Sequence, residues 1–194
     1  MAAEYFSKKD IKGAPSTTSF TILGIDPGSI RTGFGVIQSD NNNLSHIAHG
    51  TIHAKGETIP ERLHFIYHEL NDIILLHKPD EAAIEEVFMQ INVQSALKLG
   101  QARGAALIAV AQYEIPISEY SPREIKKTAT GYGAASKEQM QFMIRAQLKL
   151  TAMPQVDAAD ALAIAICHAQ QRVFREKIGK AKNMYGVANI RDKQ

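Results

Sequence analysis

The chain has 194 residues, of which 45% are hydrophobic and 22% charged, as is typical of one globular domain. No apolar stretch is long enough to cross a membrane, and residues 1–18 lack the apolar core of a secretory signal, so we predict a cytoplasmic protein with no membrane partner. The single cysteine, Cys167, excludes an intramolecular disulfide, and its Ala/Ile/Leu surroundings favour a small buried side chain.

The net charge of +2 is unevenly distributed along the chain. Residues 57–86 contain eight acidic and two basic residues, whereas residues 120–150 contain six basic and two acidic ones. Residues 172–194 add seven basic residues against two acidic ones. A basic second half fits a polyanionic partner such as nucleic acid, and it fits an ordinary solvated surface equally well.

Three strands are predicted in the first third of the chain, after a flexible extension at residues 1–18. They span residues 20–25, 32–38 and 44–53, with turns at residues 27–29 and 40–43, and they form an antiparallel meander. The first strand is almost entirely apolar, which is typical of a strand that is buried on both faces.

Helices and strands alternate in the rest of the predicted domain. We expect a helix at residues 59–77, a strand at 81–87, a helix at 93–113 and a strand at 114–120. Ser121, Pro122 and Glu124 form a helix-start signal for a short helix that ends near residue 130. Two further helices are expected at residues 136–150 and 157–175, followed by a basic tail at 176–194.

This order of elements predicts an α/β fold with a mixed five-stranded sheet flanked by helices. The ribonuclease H-like fold has the same order, and its central parallel strands deliver acidic residues near their ends. We therefore assign residues 19–175 to one domain of that type.

Four acidic residues lie at the ends of predicted buried elements: Asp26, Glu85, Asp157 and Asp160. Taken singly, Asp26 fits a turn, and Asp157 and Asp160 fit the preference for acids at a helix start. Carboxylates gathered at one point repel each other unless cations lie among them. Oxygen ligands without Cys or His suit Mg²⁺ or Mn²⁺, which favours metal-assisted phosphoryl chemistry.

Four segments together resemble the RuvC-type Holliday junction resolvases of bacteria. They are residues 22–29, 83–85, 95–104 and 157–163, and the third of these segments is the most diagnostic. The resemblance runs from about residue 20 to residue 170. It implies a homodimeric, Mg²⁺-dependent endonuclease of DNA recombination and repair that nicks opposed strands of a four-way DNA junction. It further implies a nucleoid location and delivery of the junction by a RuvA–RuvB complex.

The resemblance also implies roles for individual residues. The family's metal-binding and catalytic acids correspond to Asp26, Glu85, Asp157 and Asp160. Glu86 is not included, because side chains alternate along a strand and only one of Glu85 and Glu86 can face the site. The aromatic that enters the junction falls on Phe88, which by itself fits a core aromatic equally well. DNA-binding basic residues fall on Lys126 and Lys137, with Arg123 beside them.

Our hypothesis for the mechanism is two-metal hydrolysis, with two Mg²⁺ ions roughly 4 Å apart and Mn²⁺ as an expected substitute. Asp26 bridges both ions, Glu85 holds one, and Asp157 and Asp160 hold the other, unless Asp160 positions the attacking water. The products carry 5′-phosphate and 3′-hydroxyl ends.

The dimer hypothesis depends on Ala96, Gly100 and Gly104, which lie on one helix face and permit close approach of a second helix. Packing of the same face onto the chain's own sheet is the alternative.

Three other functions remain open at this point. One is a ribonuclease H-like nuclease that acts on RNA–DNA hybrids or flaps, and another is a junction-binding protein without catalysis. The third is an actin-like ATPase or sugar kinase, suggested by the turn at residues 26–29 and disfavoured by the short chain.

Overall fold

The computed structural model describes residues 19–40, 43–86, 92–133 and 135–184, with side chains as far as residue 175. The predicted extension at residues 1–18, Phe88 and the end of the basic tail lie outside these ranges. None of the helices within them combines the length and the apolar character that a membrane crossing needs.

One mixed sheet of five strands forms the centre of the molecule, as predicted. Its strands are β1 (Ser19–Asp26), β2 (Arg31–Asp40), β3 (Asn43–His53), β4 (Glu81–Glu85) and β5 (Ile117–Tyr120). They lie in the order β3-β2-β1-β4-β5. The first three strands are antiparallel, whereas β4 runs parallel to both β1 and β5.

Within the described residues, five helices cover the two faces of this sheet. They are α1 (Ile59–His77), α2 (Val93–Ala111), α3 (Pro122–Thr130), α4 (Lys137–Gln147) and α5 (Val156–Met184). The predicted start of α3 is confirmed, because the Ser121 and Glu124 side chains each accept a hydrogen bond from the other residue's backbone N–H.

The alternation of side chains along β1 divides the core into two layers. Ile22 faces α3, α4 and α5, whereas Leu23 and Ile25 face α1 and α2. β4 repeats this pattern, with Ala83 in the first layer and Ile84 in the second. Each face of the sheet is therefore covered by helices, as expected for near-continuous apolar strands.

Several element boundaries differ from the predictions, and α4 ends at Gln147 rather than near residue 150. α2 ends at Ala111 rather than residue 113, and β5 begins at Ile117 rather than residue 114. Glu114 has φ of 56°, and its N–H bonds to the Ala111 carbonyl at 2.9 Å, so the chain is still turning where we expected a strand. α5 continues to Met184 instead of ending near residue 175, since the residues after 175 include good helix formers and no proline.

β4 ends at Glu85, and the predicted end at residue 87 lies outside the described residues. Cys167 is fully buried in α5, as predicted.

Candidate active site

Asp26 and Glu85 occupy equivalent places at the carboxyl ends of two neighbouring parallel strands. Ile25 of β1 pairs with Ile84 of β4, so the acidic residue that follows each of them lies at the same edge of the sheet. Both isoleucines face α1 and α2, and alternation therefore directs Asp26 and Glu85 to the side of α5. Glu86 alternates to the other side, and its N–H bonds to the Tyr120 carbonyl at 2.9 Å.

Two glycines allow the first turns of α5 to lie directly on the sheet. A Cβ atom at Gly33 of β2 would lie 1.9 Å from the Asp157 carbonyl oxygen. A Cβ atom at Gly24 of β1 would lie 2.1 Å from the Ala161 carbonyl oxygen. No larger side chain fits at either place, and this close contact brings Asp157 and Asp160 beside Asp26.

The turn between β1 and β2 is held by a buried hydroxyl. Thr32 Oγ1 donates a hydrogen bond to the Gly28 carbonyl at 2.9 Å and accepts one from the Gly28 N–H at 3.2 Å. Thr32 is fully buried. The Gly28 and Thr32 motif therefore holds the turn that follows Asp26, which explains the motif without a phosphate-binding role.

The four carboxylates repel one another in a poorly solvated place. Burial first, and then the charges of Asp160, Glu85 and Asp157, raise the pKa of Asp26 to about 8. Burial and then Asp160 raise the pKa of Glu85. The pKa of Asp160 is also raised, by burial first and then by Asp157. Such a cluster is stabilised by any cation that enters it.

Two lysines and one arginine supply positive charge around the cluster. Lys137 lowers the pKa of both Asp26 and Asp160, and Lys126 lowers that of Glu85 and Asp160, in each case against the larger effect of burial. Arg31 Nε lies 3.4 Å from Asp157 Oδ2. No sequence pattern singles out Arg31, because it lies five residues after Asp26 on the far side of a turn.

A cavity of about 360 Å³ opens where these groups meet. Its polar lining comes from Asp26, Glu85, Lys126, Lys137 and Asp160, together with Ser136. Asp157 is not part of the lining, consistent with its ion pair to Arg31. Three of the four predicted acids and both predicted lysines therefore share one cavity.

The donor set fits a hard divalent cation. Within the described residues, no three Asp, Glu, His or Cys side chains form a ready-made coordination group. Mg²⁺ does not need one, because it keeps several water ligands and usually takes one or two carboxylates plus substrate phosphate oxygens. The oxygen-only cluster, with its raised carboxylate pKa values, fits such an ion.

One of the predicted DNA-binding residues lies outside the cavity. Arg123 lines an open groove of about 850 Å³ next to the cavity, and Lys126 lines both. Phe88 lies outside the described residues, so its predicted insertion into the junction stays a prediction.

Comparison with known proteins gives a consistent result. Residues 22–168 match the family model described as Crossover junction endodeoxyribonuclease RuvC. The RuvC of Coxiella burnetii is 53% identical over 161 residues, which are 83% of this chain and 94% of that protein. The RuvC of Acinetobacter baumannii is 47% identical over 172 residues, covering 89% of this chain and 95% of that protein.

Solved structures agree with the sequence comparison. Thermus thermophilus RuvC in complex with a Holliday junction substrate superposes with a TM-score of 0.72 at 31% identity, covering 77% of this chain and 93% of that one. The yeast mitochondrial Holliday junction resolvase Ydc2 superposes with a TM-score of 0.63 at 10% identity, which shows a shared fold alone. The ribonuclease H-like fold predicted from the order of elements is confirmed.

Proposed function

This chain belongs to the RuvC family of crossover junction endodeoxyribonucleases, and from that premise we propose that it resolves four-way DNA junctions in recombination and repair. It does so by paired, symmetric nicks that leave 5′-phosphate and 3′-hydroxyl ends. The observation that supports this proposal most strongly is the convergence of Asp26, Glu85 and Asp160 in one cavity that adjoins a basic groove.

Asp26 is the centre of the proposed metal site. It is the carboxylate whose pKa responds to all three of the other acids, so it lies within electrostatic reach of each. Glu85 and Asp160 complete the cavity lining, and Asp157 completes the set from the first turn of α5. We propose that these residues hold two Mg²⁺ ions, with Mn²⁺ as a substitute. When bound, the ions supply Lewis-acid activation of water and stabilisation of the leaving oxygen.

Lys126 and Lys137 place positive charge at the rim of the acidic cavity. A DNA phosphate must approach a cluster of carboxylates, which repels it unless cations offset the negative charge. The two lysines line the same cavity as the acids and offset part of that repulsion in the free protein. We propose that Lys137 contacts the scissile phosphate and that Lys126 directs the strand into the neighbouring groove.

The protein acts as a homodimer in this proposal, because paired nicks need two sites related by a two-fold axis. The face of α2 that carries Gly100 and Gly104 supports it, since a Cβ atom at either glycine would meet nothing within 4 Å. The alternative, in which this face packs onto the chain's own sheet, does not agree with that open space. We further propose that a RuvA–RuvB complex supplies the junction and that the protein is located at the nucleoid in the cytoplasm. Phe88 is the aromatic residue that we propose enters the junction.

Cleavage of a mobile four-way junction, with and without Mg²⁺, tests the function. We expect two opposed nicks that need the metal, and no comparable cleavage of plain duplex or of an RNA–DNA hybrid. Asp26→Asn should bind the junction almost normally and lose cleavage by at least about a thousandfold, because the substitution removes the central metal ligand.

Asp40→Asn is the matched control, since Asp40 is an exposed acid at the other end of β2. Near wild-type cleavage by Asp26→Asn in Mg²⁺ would overturn the site assignment. Preferential cleavage of the hybrid would instead favour a different ribonuclease H-like activity.

A further inference from the structure

The groove beside the catalytic cavity combines positive charge with one exposed aromatic ring. Arg123, Lys126 and Lys127 of α3 line it, and so does Tyr132 from the loop that follows α3. One acid, Glu124, lines it as well. Its carboxylate is occupied at the start of α3, where Glu124 Oε2 accepts hydrogen bonds from Ser121 N at 3.0 Å and Ser121 Oγ at 2.6 Å. The groove therefore presents mainly cations to a ligand.

This groove adjoins the catalytic cavity, because Pro122 and Lys126 line both. A strand whose phosphate lies in the cavity consequently has a basic path along which its backbone can leave. The volume of the groove, about 850 Å³, exceeds that of the cavity, about 360 Å³. Such a groove fits a nucleotide chain better than it fits a small molecule.

The backbone of Tyr132 is held by hydrogen bonds, and its side chain is exposed. The side chain of Tyr132 is 67% exposed. The Thr130 hydroxyl accepts a hydrogen bond from the Tyr132 N–H at 3.2 Å and lies 2.8 Å from the carbonyl oxygens of Lys126 and Tyr132. Gly131 ends α3 in the left-handed region with φ of 76°, and its N–H bonds to the Lys127 carbonyl at 2.8 Å. The backbone that carries the ring is therefore fixed beside the groove, and the exposed ring is available to a ligand that enters it.

We propose that Tyr132 stacks on an unpaired or unstacked base of the junction strand that runs from the catalytic cavity into this groove. The three basic side chains hold the phosphates on either side of that base. Proteins that bind single strands use the same combination, in which a basic groove follows the backbone and aromatic rings stack on bases. This inference rests on the proposed function, and it makes Tyr132 a residue that positions the strand.

Binding of a synthetic four-way junction to the full-length protein in Ca²⁺ tests the proposal without cleavage. We expect Tyr132→Ala to weaken binding roughly tenfold, and Tyr132→Phe to bind as the wild type does, because stacking needs only the ring. Phe142→Ala is the matched control, since Phe142 is 59% exposed and does not line the groove. Thermal unfolding of all three variants should match the wild type.

The salt dependence of junction binding separates the contribution of base stacking from that of phosphate contacts. Tyr132→Ala should weaken binding by the same factor at every salt concentration, whereas Lys127→Ala should reduce the slope of log Kd against log salt by about 1. A 2-aminopurine base placed near the nick should lose fluorescence on binding wild type and Tyr132→Phe, and not on binding Tyr132→Ala. Wild-type affinity and unchanged quenching with Tyr132→Ala would overturn the inference.

Failure of the inference is distinguishable from failure of the proposed function. If the wild-type protein does not cleave the junction, the proposed function is wrong. If the wild type cleaves and Tyr132→Ala binds equally well, only the role of Tyr132 is wrong.

Discussion

Asp26 is destabilising to the metal-free protein at neutral and alkaline pH. Its pKa is raised from 3.8 to about 8, so the folded protein keeps a proton there that the unfolded chain has lost. Between these two values the folded state binds more protons than the unfolded state, and stability therefore falls as pH rises. Above about pH 8 the carboxylate is charged in both states, and the loss is complete.

Asp26→Asn should therefore stabilise the protein in the absence of divalent cations. We expect a Tm at pH 8 that is higher by about 3 °C or more, which corresponds to about 1 kcal/mol for a domain of this size. The gain should shrink as pH falls and disappear below about pH 3, where the wild-type carboxyl is neutral in both states. Thermal unfolding in EDTA across this pH range is the measurement.

Mg²⁺ provides the complementary measurement at Asp26. It should raise the Tm of the wild type and have a much smaller effect on Asp26→Asn, because the ion offsets the charge that the substitution removes. If Asp26→Asn instead lowered the Tm at pH 8, the surroundings of Asp26 would be stabilising its carboxylate rather than destabilising it. Asp40→Asn, at an exposed acid, should show neither effect.

The position of a site residue could be predicted from the sequence wherever it follows from the helix or strand to which the residue belongs. Asp26 and Glu85 each follow an apolar run, and strand alternation is enough to prefer Glu85 over Glu86. The ion pair of Arg31 with Asp157 joins residues 126 positions apart and has no local signal. The separation of Asp157 from the cavity lining likewise became visible only once α5 was placed.

Among the elements, α5 depends on glycines in the strands beneath it. Its alanines and the glycines of β1 and β2 bring two backbones into direct contact, and the closest approach is at Gly33. The helix can shift away from the sheet only by losing the buried contacts of Leu162 and Ile166. The position of Asp157 and Asp160 is therefore coupled to the size of residue 33.

Gly33→Ala should reduce both stability and cleavage. The added methyl group would meet the Asp157 carbonyl at 1.9 Å, so the backbone of α5 must move. We expect a loss of about 2 kcal/mol or more, typical of an overpacked core, and at least a tenfold loss of cleavage at a temperature where the variant is folded. Chemical unfolding and junction cleavage measure the two effects.

Gly133→Ala is the control for this substitution, because its added Cβ would meet Arg123 Cγ at an ordinary 3.4 Å. It should unfold as the wild type does. If Gly33→Ala also unfolded and cleaved normally, the close contact between β2 and α5 would not be what positions the acids.

The sequence predicts that α5 exists. It does not predict the contacts that hold the part of this helix farther from the active site. Buried His168 lies between Tyr120, whose hydroxyl is 2.9 Å from its Nδ1, and Glu81, whose Oε2 is 2.6 Å from its Nε2. Arg172 Nε donates to Glu81 Oε1 at 2.8 Å. The pKa of Glu81 falls to about 2, first because of His168 and despite its burial. These partners lie 48, 87 and 91 residues apart, so no periodic pattern relates them.

At the scale of the whole molecule, α2 has two different faces. Ala102, Ala106 and Val110 are buried against the rest of the domain. The opposite face carries a continuous stripe of exposed apolar residues and glycines: Val93, Leu97, Gly100, Gly104 and Ile108. Their spacing of three or four residues places them along one line of the helix. A stripe of this kind on a monomer leaves apolar surface in water without compensation.

A second copy of α2 is the occupant that we propose for this stripe, because the small residues at its centre let two helices approach closely. Ile108→Asp should then convert the dimer to a monomer at micromolar concentration, as measured by size-exclusion chromatography with light scattering. Leu76→Asp is the matched control, since Leu76 is an exposed apolar residue of α1 and lies outside the stripe. It should remain dimeric.

Loss of the dimer should change the products of DNA cleavage as well as the molecular mass of the protein in solution. A plasmid that carries an extruded four-way junction becomes linear only when both opposed strands are cut in one encounter, and it becomes a nicked circle when one strand is cut. Because each protomer has its own set of four carboxylates, Ile108→Asp should shift the products toward nicked circles while it keeps the metal requirement. A wild-type protein that is monomeric in the same experiment, or an Ile108→Asp variant that still yields linear plasmid, would contradict the α2 interface.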